Sequence, residues 1–266
     1  MSSEVLAALT AIQDQRPNAP FKNVEFAPVS VTLTPLDDGA LLLSNQQPLD
    51  PLPVQQIGEY LRRHAKAQPN QTFLAEPTGE NNDWHKLSYA QALAKTNALS
   101  QWLLNESLPI GRPVFILSEN SINHALLQFA AMQVGIPVMP VSAAYSLMSK
   151  TCGKIADLAK RFNPALIYAE DGERFQTAIQ VAKEHAPDAK VLCCDPGSIS
   201  FAGRLNDALT TAATTEVDDA FSKVNHDTIA RLLLTSGSTG SPKAVIMTQR
   251  NIIASGVLWD QVWPFL

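Results

Sequence analysis

The chain has 266 residues, of which 45% are hydrophobic and 17% are charged, and its formal net charge is −5. This length allows one large domain or two smaller ones, and the low charged share predicts that much of the chain is buried. A mildly acidic chain without basic runs is a poor candidate for binding nucleic acid. It has no basic leader followed by a long apolar stretch and no apolar run of membrane length, so we expect no signal peptide, no membrane span and a cytoplasmic location.

The cysteines and histidines do not fall at the spacings of metal ligands. Cys193 and Cys194 are adjacent, which is a poor arrangement for a mutual disulfide, and Cys152 is distant from both in the sequence. We therefore expect no metal site and interpret the cysteines as buried thiols in a reducing compartment. The histidines are scattered, and we expect surface or capping roles for all of them: His64, His85, His124, His185 and His226.

The N-terminal region differs in composition from the rest of the chain. Residues 1–53 contain seven prolines, with short β-like pieces at 29–33 and 40–43. This pattern predicts an extended N-terminal arm rather than a folded unit. We expect an α/β subdomain over 54–226, and in 227–266 a strand pair around a loop followed by the start of a second subdomain.

From Val54 onward, short apolar runs alternate with segments of helical periodicity. Such alternation predicts βαβ units and a largely parallel sheet covered by helices. The predicted strands are 72–75, 113–117, 136–139, 165–168, 190–194 and 229–234. The predicted helices are one that begins near Val54 and is closed by Pro69, one opened by a capping box of Ser88 and Gln91, and those at 121–134, 147–162 and 173–185.

Three further segments carry expectations. Residues 195–226 are polar and predict an irregular surface connection with at most one helix. Glu119 follows a strand end and is therefore expected near the ligand-binding edge of the sheet. The last helix has apolar residues on nearly all sides, which predicts burial, and an exposed apolar surface there would be a partner or aggregation site.

The stretch 232–251 reads LLLTSGSTGSPKAVIMTQRN, in which a loop of small polar residues separates two apolar runs. At the carboxyl end of a parallel strand such a loop faces a ligand. Its glycines let backbone N–H groups approach an anion, and its lysine adds one positive charge. These donors suit a polyphosphate, whereas a metal would need carboxylates or imidazoles. The candidate phosphate-binding residues are Thr235, Ser236, Gly237, Ser238, Thr239, Gly240 and Lys243.

Other loop motifs do not fit this stretch. Pro242 stands where the Walker spacing needs glycine, and the dinucleotide fingerprint G-x-G-x-x-G does not occur. Ser236 stands where the nucleophile elbow G-x-S-x-G needs glycine. A flexible loop without a ligand has the same composition, so composition alone leaves that alternative open.

The stretch closely resembles the phosphate-loop signature of the adenylate-forming superfamily. That superfamily includes acyl- and aryl-CoA synthetases, luciferases and the adenylation domains of peptide synthetases. Residues 235–243 match its pattern Thr/Ser-Ser-Gly-Ser/Thr-Thr-Gly-x-Pro-Lys throughout, whereas Ala244 stands where glycine is usual and Gln249 where histidine is common. A second stretch, AAMQVGIPVMPVSAAYS at 130–146, resembles a conserved segment of the same enzymes. Together with GKIADLAKRFNPALIYAEDGERF at 153–175, it is most similar to feruloyl-CoA synthetases.

This resemblance implies a two-step ligase. A carboxylic acid, such as the hydroxycinnamic acid ferulate, would react with ATP in the presence of Mg²⁺ to give an acyl-adenylate and pyrophosphate, and coenzyme A would then displace AMP. In related enzymes the loop that corresponds to Thr235–Lys243 holds the β- and γ-phosphates, and Lys243 is the catalytic candidate. The implied partners are the small-molecule acid, ATP and coenzyme A, with no nucleic acid.

The resemblance covers the chain from about Val54 to its end, and related enzymes continue for about as long again. The motifs Tyr-Gly-x-Thr-Glu and Thr-Gly-Asp, which lie further along in those enzymes, do not occur in these residues. We therefore expect an N-terminal fragment that is inactive by itself. The alternative is a non-catalytic remnant or nucleotide-binding module that needs a partner chain. A serine-dependent amidase is disfavoured, because no second lysine and serine stand in a matching arrangement.

Overall fold

The computed structural model describes residues 24, 26–28, 30–79, 83–235 and 242–264. Contacts divide the chain into two compact units, of which one comprises Met1–Asp50 with Val257–Leu266 and the other Pro51–Gly256. The expected division at 53 and 226 stays a prediction.

The smaller unit contains an antiparallel hairpin of β1, Val31–Pro35, and β2, Leu41–Asn45. Gly39 has a φ of +84° in the turn that joins them, a conformation that glycine adopts without steric cost. Both strands lie where the sequence predicts β-like pieces. The hairpin aligns Leu33 with Leu43 on one face, and these side chains are 54% and 66% exposed, so the hairpin presents an apolar surface.

The larger unit is built on a seven-stranded sheet in the order β11-β10-β6-β5-β7-β8-β9. Neighbouring strands are parallel except for β10 and β11, which form an antiparallel pair at one edge. The largely parallel sheet predicted from the sequence is therefore confirmed. Its strands are β5 Val114–Ile116, β6 Val138–Pro140, β7 Leu166–Asp171, β8 Lys190–Asp195, β9 Gly203–Arg204, β10 Ile229–Thr235 and β11 Lys243–Thr248. A separate antiparallel pair comprises β3 Thr72–Pro77 and β4 Trp84–Ser88.

Helices cover both faces of this sheet. Along β7, Leu166 and Tyr168 belong to the core on one face, whereas Ile167 and Ala169 belong to the core on the other. Strand residues alternate in this way because successive side chains point to opposite faces. The helices are α1 Gly58–Ala67, α2 Tyr89–Asn105, α3 Ile122–Gln133, α4 Ala143–Leu147, α5 Gly153–Phe162, α6 Gln176–His185, α7 Leu205–Leu209, α8 Thr215–Lys223 and α9 Gln249–Val262.

The helix predicted over 147–162 is confirmed for Gly153–Phe162 and is wrong for the residues before Gly153. α4 ends at Leu147 and α5 begins at Gly153, because Cys152 has a φ of +47° and breaks the helical path. The Cys152 side chain is fully buried and its thiol approaches the carbonyl of Ser146 at 3.5 Å. The burial of Cys152 is a tertiary feature that helical periodicity does not reveal.

Residues 195–226 are more ordered than the polar composition predicts. They contain β9, α7 and α8, and their buried apolar residues include Leu205, Ala208 and Val217. Thr214 caps α8 by accepting a hydrogen bond from the N–H of Glu216 at 3.3 Å. The expectation of an irregular connection with at most one helix is therefore wrong.

Two apolar segments are more exposed in the structure than their sequences suggest. In β10 only Ala230 is fully buried, and β11 next to it is the edge strand of the sheet. In α9, Ile253 is buried, but Leu258 and Trp259 are each 50% exposed. The burial predicted for α9 therefore holds only in its first half, which the described residues cover.

Candidate functional site

The predicted phosphate loop is anchored by two residues that face each other across strands. Thr235 ends β10, Lys243 begins β11, and the two form the last pair of the antiparallel ladder. The hydroxyl of Thr235 donates to the carbonyl of Lys243 at 3.4 Å, and both residues are exposed. The other predicted phosphate-binding residues lie outside the described residues: Ser236, Gly237, Ser238, Thr239 and Gly240.

The anchors lie at the edge of the sheet where the parallel strands end. β10 runs parallel to β6, which runs parallel to β5, so these strands end on the same side as Thr235. Open α/β sheets bind ligands at this edge. Just beyond the loop, the carbonyl of Pro242 accepts a hydrogen bond from the guanidinium of Arg161 at 2.9 Å, which ties the loop exit to α5.

A cavity of about 550 Å³ opens at the same strand ends, and we name it the strand-tip cavity. Its lining comes from the residues that follow β5, the residues that follow β6 and the end of β10. Leu234, the last lining residue of β10, directly precedes Thr235, so the cavity adjoins the start of the phosphate loop. The lining residues are Ser118, Glu119, Asn120, His124, Pro140, Val141, Ser142, Ala143, Tyr145, Leu233 and Leu234.

One wall of the cavity is the loop from Ser118 to the first turn of α3. His124 is 8% exposed, and its Nδ1 lies 3.0 Å from the carbonyl oxygen of Glu119 and 3.3 Å from the hydroxyl of Ser118. The carboxylate of Glu119 accepts a hydrogen bond from Arg174 at 2.6 Å. Glu119 lies at the carboxyl edge of the sheet, as expected, whereas the surface or capping role expected for His124 is wrong.

A half-buried carboxylate, that of Glu170, holds this wall in place. Glu170, at the end of β7, accepts hydrogen bonds from Ser121 at 2.7 Å and from the amide of Asn123 at 3.0 Å. Ser121 in turn accepts a hydrogen bond from the backbone N–H of His124 at 3.1 Å and so caps α3. Glu76 of β3 also accepts a hydrogen bond from the N–H of Ile122 at 2.8 Å. The first turn of α3 is therefore fixed from two directions by carboxylates that complement its dipole.

The groups around Glu170 have shifted pKa values. Burial alone raises the pKa of its carboxyl, but hydrogen bonds from Tyr168 and the neighbouring donors outweigh burial and bring the pKa below its ordinary value. The Tyr168 hydroxyl donates to Glu170 at 2.5 Å, and its pKa is raised first by burial and then by the charges of Cys194 and Glu170. Burial likewise raises the pKa of the Cys194 thiol to about 12. At neutral pH this network thus holds one carboxylate, a phenol and a thiol.

Within the described residues, no group of three or more His, Cys, Asp or Glu side chains is placed to hold a metal ion. None of the helices described is both long and apolar enough to cross a membrane. Sequence reasoning missed His124 and Glu170 as parts of this region. The available signal was their position, since His124 lies in the first turn after a strand-end loop and Glu170 ends a strand.

Comparison with protein families gives a match to the family described as "AMP-binding enzyme" over residues 61–265, which is well over half of the chain. The chain belongs to the AMP-binding enzyme family. The matched region includes both anchors of the phosphate loop and every residue that lines the strand-tip cavity.

Curated proteins similar to this chain include two acid–CoA ligases or ligase-like proteins and one synthetase. 4-Coumarate–CoA ligase-like 9 of Arabidopsis thaliana is 26% identical, over 71% of this chain and 31% of its own length. Sulfoacetate–CoA ligase of Cupriavidus necator is 26% identical, over 71% of this chain and 34% of its own length. Tenellin synthetase of Beauveria bassiana is 28% identical, over 69% of this chain and 4% of its own length. The chain thus spans about a third or less of these relatives.

Solved structures with the same fold include VinN in complex with L-aspartate, with a TM-score of 0.60 and 20% identity over 80% of this chain and 49% of that one. The fatty acyl-adenylate ligase from L. pneumophila has a TM-score of 0.58 and 18% identity over 77% of this chain and 32% of that one. The benzoate CoA ligase from Burkholderia xenovorans LB400 has a TM-score of 0.60 and 13% identity over 78% of this chain and 36% of that one. At these identities the likeness establishes the fold.

Proposed function

We propose that this chain is the phosphate-binding part of an ATP-dependent ligase that activates a carboxylic acid and transfers it to coenzyme A. The observation that carries the proposal is the position of Thr235 and Lys243, which stand together at the carboxyl edge of the sheet beside the strand-tip cavity. The names of two relatives, a 4-coumarate–CoA ligase-like protein and a sulfoacetate–CoA ligase, support the same chemistry.

The described residues fit a polyphosphate. Lys243 is exposed and forms no ion pair with any described residue, so its ammonium is available to an anion. The hydroxyl of Thr235 stands beside it, and the predicted loop between them adds glycines and hydroxyls. These groups suit phosphate oxygens, since a lysine ammonium binds phosphate as a point charge and small residues let the backbone approach.

In the proposed reaction the carboxylate of the acid attacks the α-phosphorus of ATP, and the bond from that phosphorus to pyrophosphate breaks. The role of this chain is to hold the β- and γ-phosphates and to stabilise the charge that develops on the departing pyrophosphate. Mg²⁺ would be held mainly by phosphate oxygens and water, which is its usual coordination. The thiol of coenzyme A then attacks the acyl carbon, and AMP leaves.

We further propose a hydroxycinnamic acid such as ferulate as the acid. The support is the similarity of residues 130–146 and 153–175 to feruloyl-CoA synthetases and the 4-coumarate–CoA ligase-like relative. The relatives are about three or more times as long as the matched region, so the whole reaction is proposed for the protein that carries this chain and not for these residues alone.

Exchange of labelled pyrophosphate into ATP tests the proposal. The protein that carries this chain is assayed with ferulate, 4-coumarate, cinnamate and sulfoacetate in turn, with a reaction lacking acid as the blank. We expect exchange that depends on the added acid and is fastest with a hydroxycinnamate. ATP binding without exchange for any acid would contradict the ligase and favour a non-catalytic nucleotide-binding module. Fastest exchange with sulfoacetate would overturn only the proposed substrate.

A further inference from the structure

The described residues that line the strand-tip cavity carry no cationic side chain. Neither lysine nor arginine is among the described residues that line it, and its one carboxylate, that of Glu119, is paired with Arg174. The remaining lining side chains are aliphatic, aromatic, hydroxyl, amide or imidazole groups. A phosphate or carboxylate buried here would lack a charge partner, which is unfavourable. The cavity therefore suits a neutral part of a ligand.

The imidazole of His124 is oriented by its own loop. A backbone carbonyl can only accept, so the contact of Nδ1 with the Glu119 oxygen at 3.0 Å places the hydrogen on Nδ1. In the neutral ring Nε2 then carries a lone pair and is an acceptor. Nε2 makes no hydrogen bond with a described residue, and it is not among their fully buried atoms that lack a partner. His124 is a lining residue of the cavity, so the cavity is where a partner for Nε2 would lie.

This orientation is held rigidly. Ser121, whose hydroxyl donates to Glu170, accepts a hydrogen bond from the backbone N–H of His124, and Glu76 accepts one from that of Ile122. These bonds hold the helical turn that carries the ring in place. The side chain is more than nine-tenths buried, yet one of its polar atoms has no protein partner among the described residues. A preorganised acceptor of this kind favours binding because little conformational freedom is lost when a ligand donor arrives.

We propose that His124 is a ligand-binding residue of the strand-tip cavity, where its Nε2 accepts a hydrogen bond from a neutral O–H or N–H group of a bound ligand. The inference rests on the proposed function for the choice of ligands. Three sources carry such a donor: the adenosine of ATP, the amide arm of coenzyme A and the phenolic hydroxyl of a hydroxycinnamic acid. The chemistry is common to all three, and the experiment separates them.

Two substitutions, each of which reproduces one of the two ring-nitrogen positions, distinguish ligand binding from a structural role. In His124→Asn the amide nitrogen takes the place of Nδ1 and preserves the bond to Glu119, but the acceptor at the ε position is lost. In His124→Gln the amide lies at the ε position and offers an acceptor, whereas the bond to Glu119 is lost. If His124 binds one of these three ligands, the affinity for that ligand falls about tenfold in His124→Asn and less in His124→Gln. A purely structural role predicts the reverse order.

Nitrogen NMR of the protein labelled at histidine gives the direct readout. The ¹⁵N signal of His124 Nε2 is assigned by its loss in His124→Asn and followed during separate additions of ATP with Mg²⁺, coenzyme A, ferulate and the analogue of ferulate without its phenolic hydroxyl. We expect an upfield shift of that signal with at least one of the first three. A response to ferulate but not to its analogue assigns the donor to the phenol.

The absence of a shift with ATP, coenzyme A and ferulate would overturn the inference, as would greater loss of affinity in His124→Gln than in His124→Asn. Unfolding of both variants in urea checks that neither effect arises from instability. Failure of the proposed function is distinguishable, because it appears as absent pyrophosphate exchange in the wild-type protein. If the protein exchanges pyrophosphate but the Nε2 signal does not shift with any ligand, the proposed ligase function stands and the proposed role of His124 is wrong.

Discussion

At the scale of single residues, Lys243 has the most direct chemical task in the proposed reaction. Lys243→Ala removes a charge-assisted hydrogen bond to the phosphates, so we expect acid-dependent pyrophosphate exchange to slow by about 10- to 150-fold, or about 1.5–3 kcal/mol. The matched control is Lys86→Ala, which removes an exposed lysine from β4. Equal rates in the wild type and Lys243→Ala would remove Lys243 from the site.

Glu170 makes stability depend on pH in a predictable direction. Its folded-state pKa lies below its ordinary value of 4.5, so its contribution is present above that pH and is lost as the pH falls through the lowered value. We expect Glu170→Gln to lower the free energy of unfolding by about 1–3 kcal/mol at pH 7, and by progressively less below pH 4.5. Urea unfolding across this range measures the difference, with the exposed Glu184→Gln as control. A difference independent of pH would contradict the role of the carboxylate.

The cysteines are expected to be inert in the native protein. Burial raises the pKa of Cys193 to about 11 and that of Cys194 to about 12, and it also raises the pKa of Cys152. Alkylation needs the thiolate, so at pH 8 we expect iodoacetamide to react roughly a hundredfold more slowly with the native chain than with the chain in urea. Mass spectrometry resolves the three sites. Fast modification of native Cys194 would show that the network around Glu170 opens readily.

At the scale of elements, the capping box of α2 offers a clean comparison. Ser88 accepts a hydrogen bond from the N–H of Gln91 at 3.3 Å, and the side chain of Gln91 accepts one from the N–H of Ser88 at 2.9 Å. We expect Ser88→Ala to lower the free energy of unfolding by about 0.5–2 kcal/mol. Ser142 also stands at an N-cap, that of α4, but makes no capping hydrogen bond. Ser142→Ala should therefore change stability by only a few tenths, and equal losses would contradict the cap as the cause.

Elements with a local cause could be predicted from the sequence. The capping box predicts the start of α2, because its two hydrogen bonds join residues that are three apart in the sequence. The alternation of short apolar runs with segments of helical periodicity predicts the parallel sheet. The non-helical residues before α5 could not be predicted in this way, because the positive φ of Cys152 and its packing among residues distant in the sequence leave no local pattern. The order of α7 and α8 was missed for a related reason, since a few buried residues suffice to order a polar segment.

In the candidate site, too, residues contiguous in the sequence could be predicted, whereas residues brought together only by the fold could not. The predicted phosphate loop is contiguous in the sequence, so its candidate donors could be named from one stretch. The structure places the two described ones, Thr235 and Lys243, at the carboxyl edge of the parallel strands. The strand-tip cavity is assembled from three strand ends that lie far apart in the sequence. Its orientation of His124 depends on Glu170, which comes from a fourth strand. Only the folded sheet brings these groups together.

At the scale of the whole molecule, the larger unit carries the sheet, the anchors and the cavity, and the smaller unit exposes apolar side chains among its described residues. In the hairpin, Val31, Leu33, Leu41 and Leu43 are each more than half exposed. The proposed ligase chemistry does not depend on this surface. It depends on one proposed property of the larger unit, which is that it binds the phosphate chain of ATP.

Equilibrium binding of nucleotides tests that property most directly. Because the proposed contacts are to the β- and γ-phosphates, we expect this 266-residue chain to bind ATP about tenfold or more tightly than AMP, and inorganic tripolyphosphate to compete with ATP. The preference for ATP should disappear in Lys243→Ala and persist in Lys86→Ala. Equal affinity for AMP and ATP in the wild-type chain, with no competition from tripolyphosphate, would contradict the account.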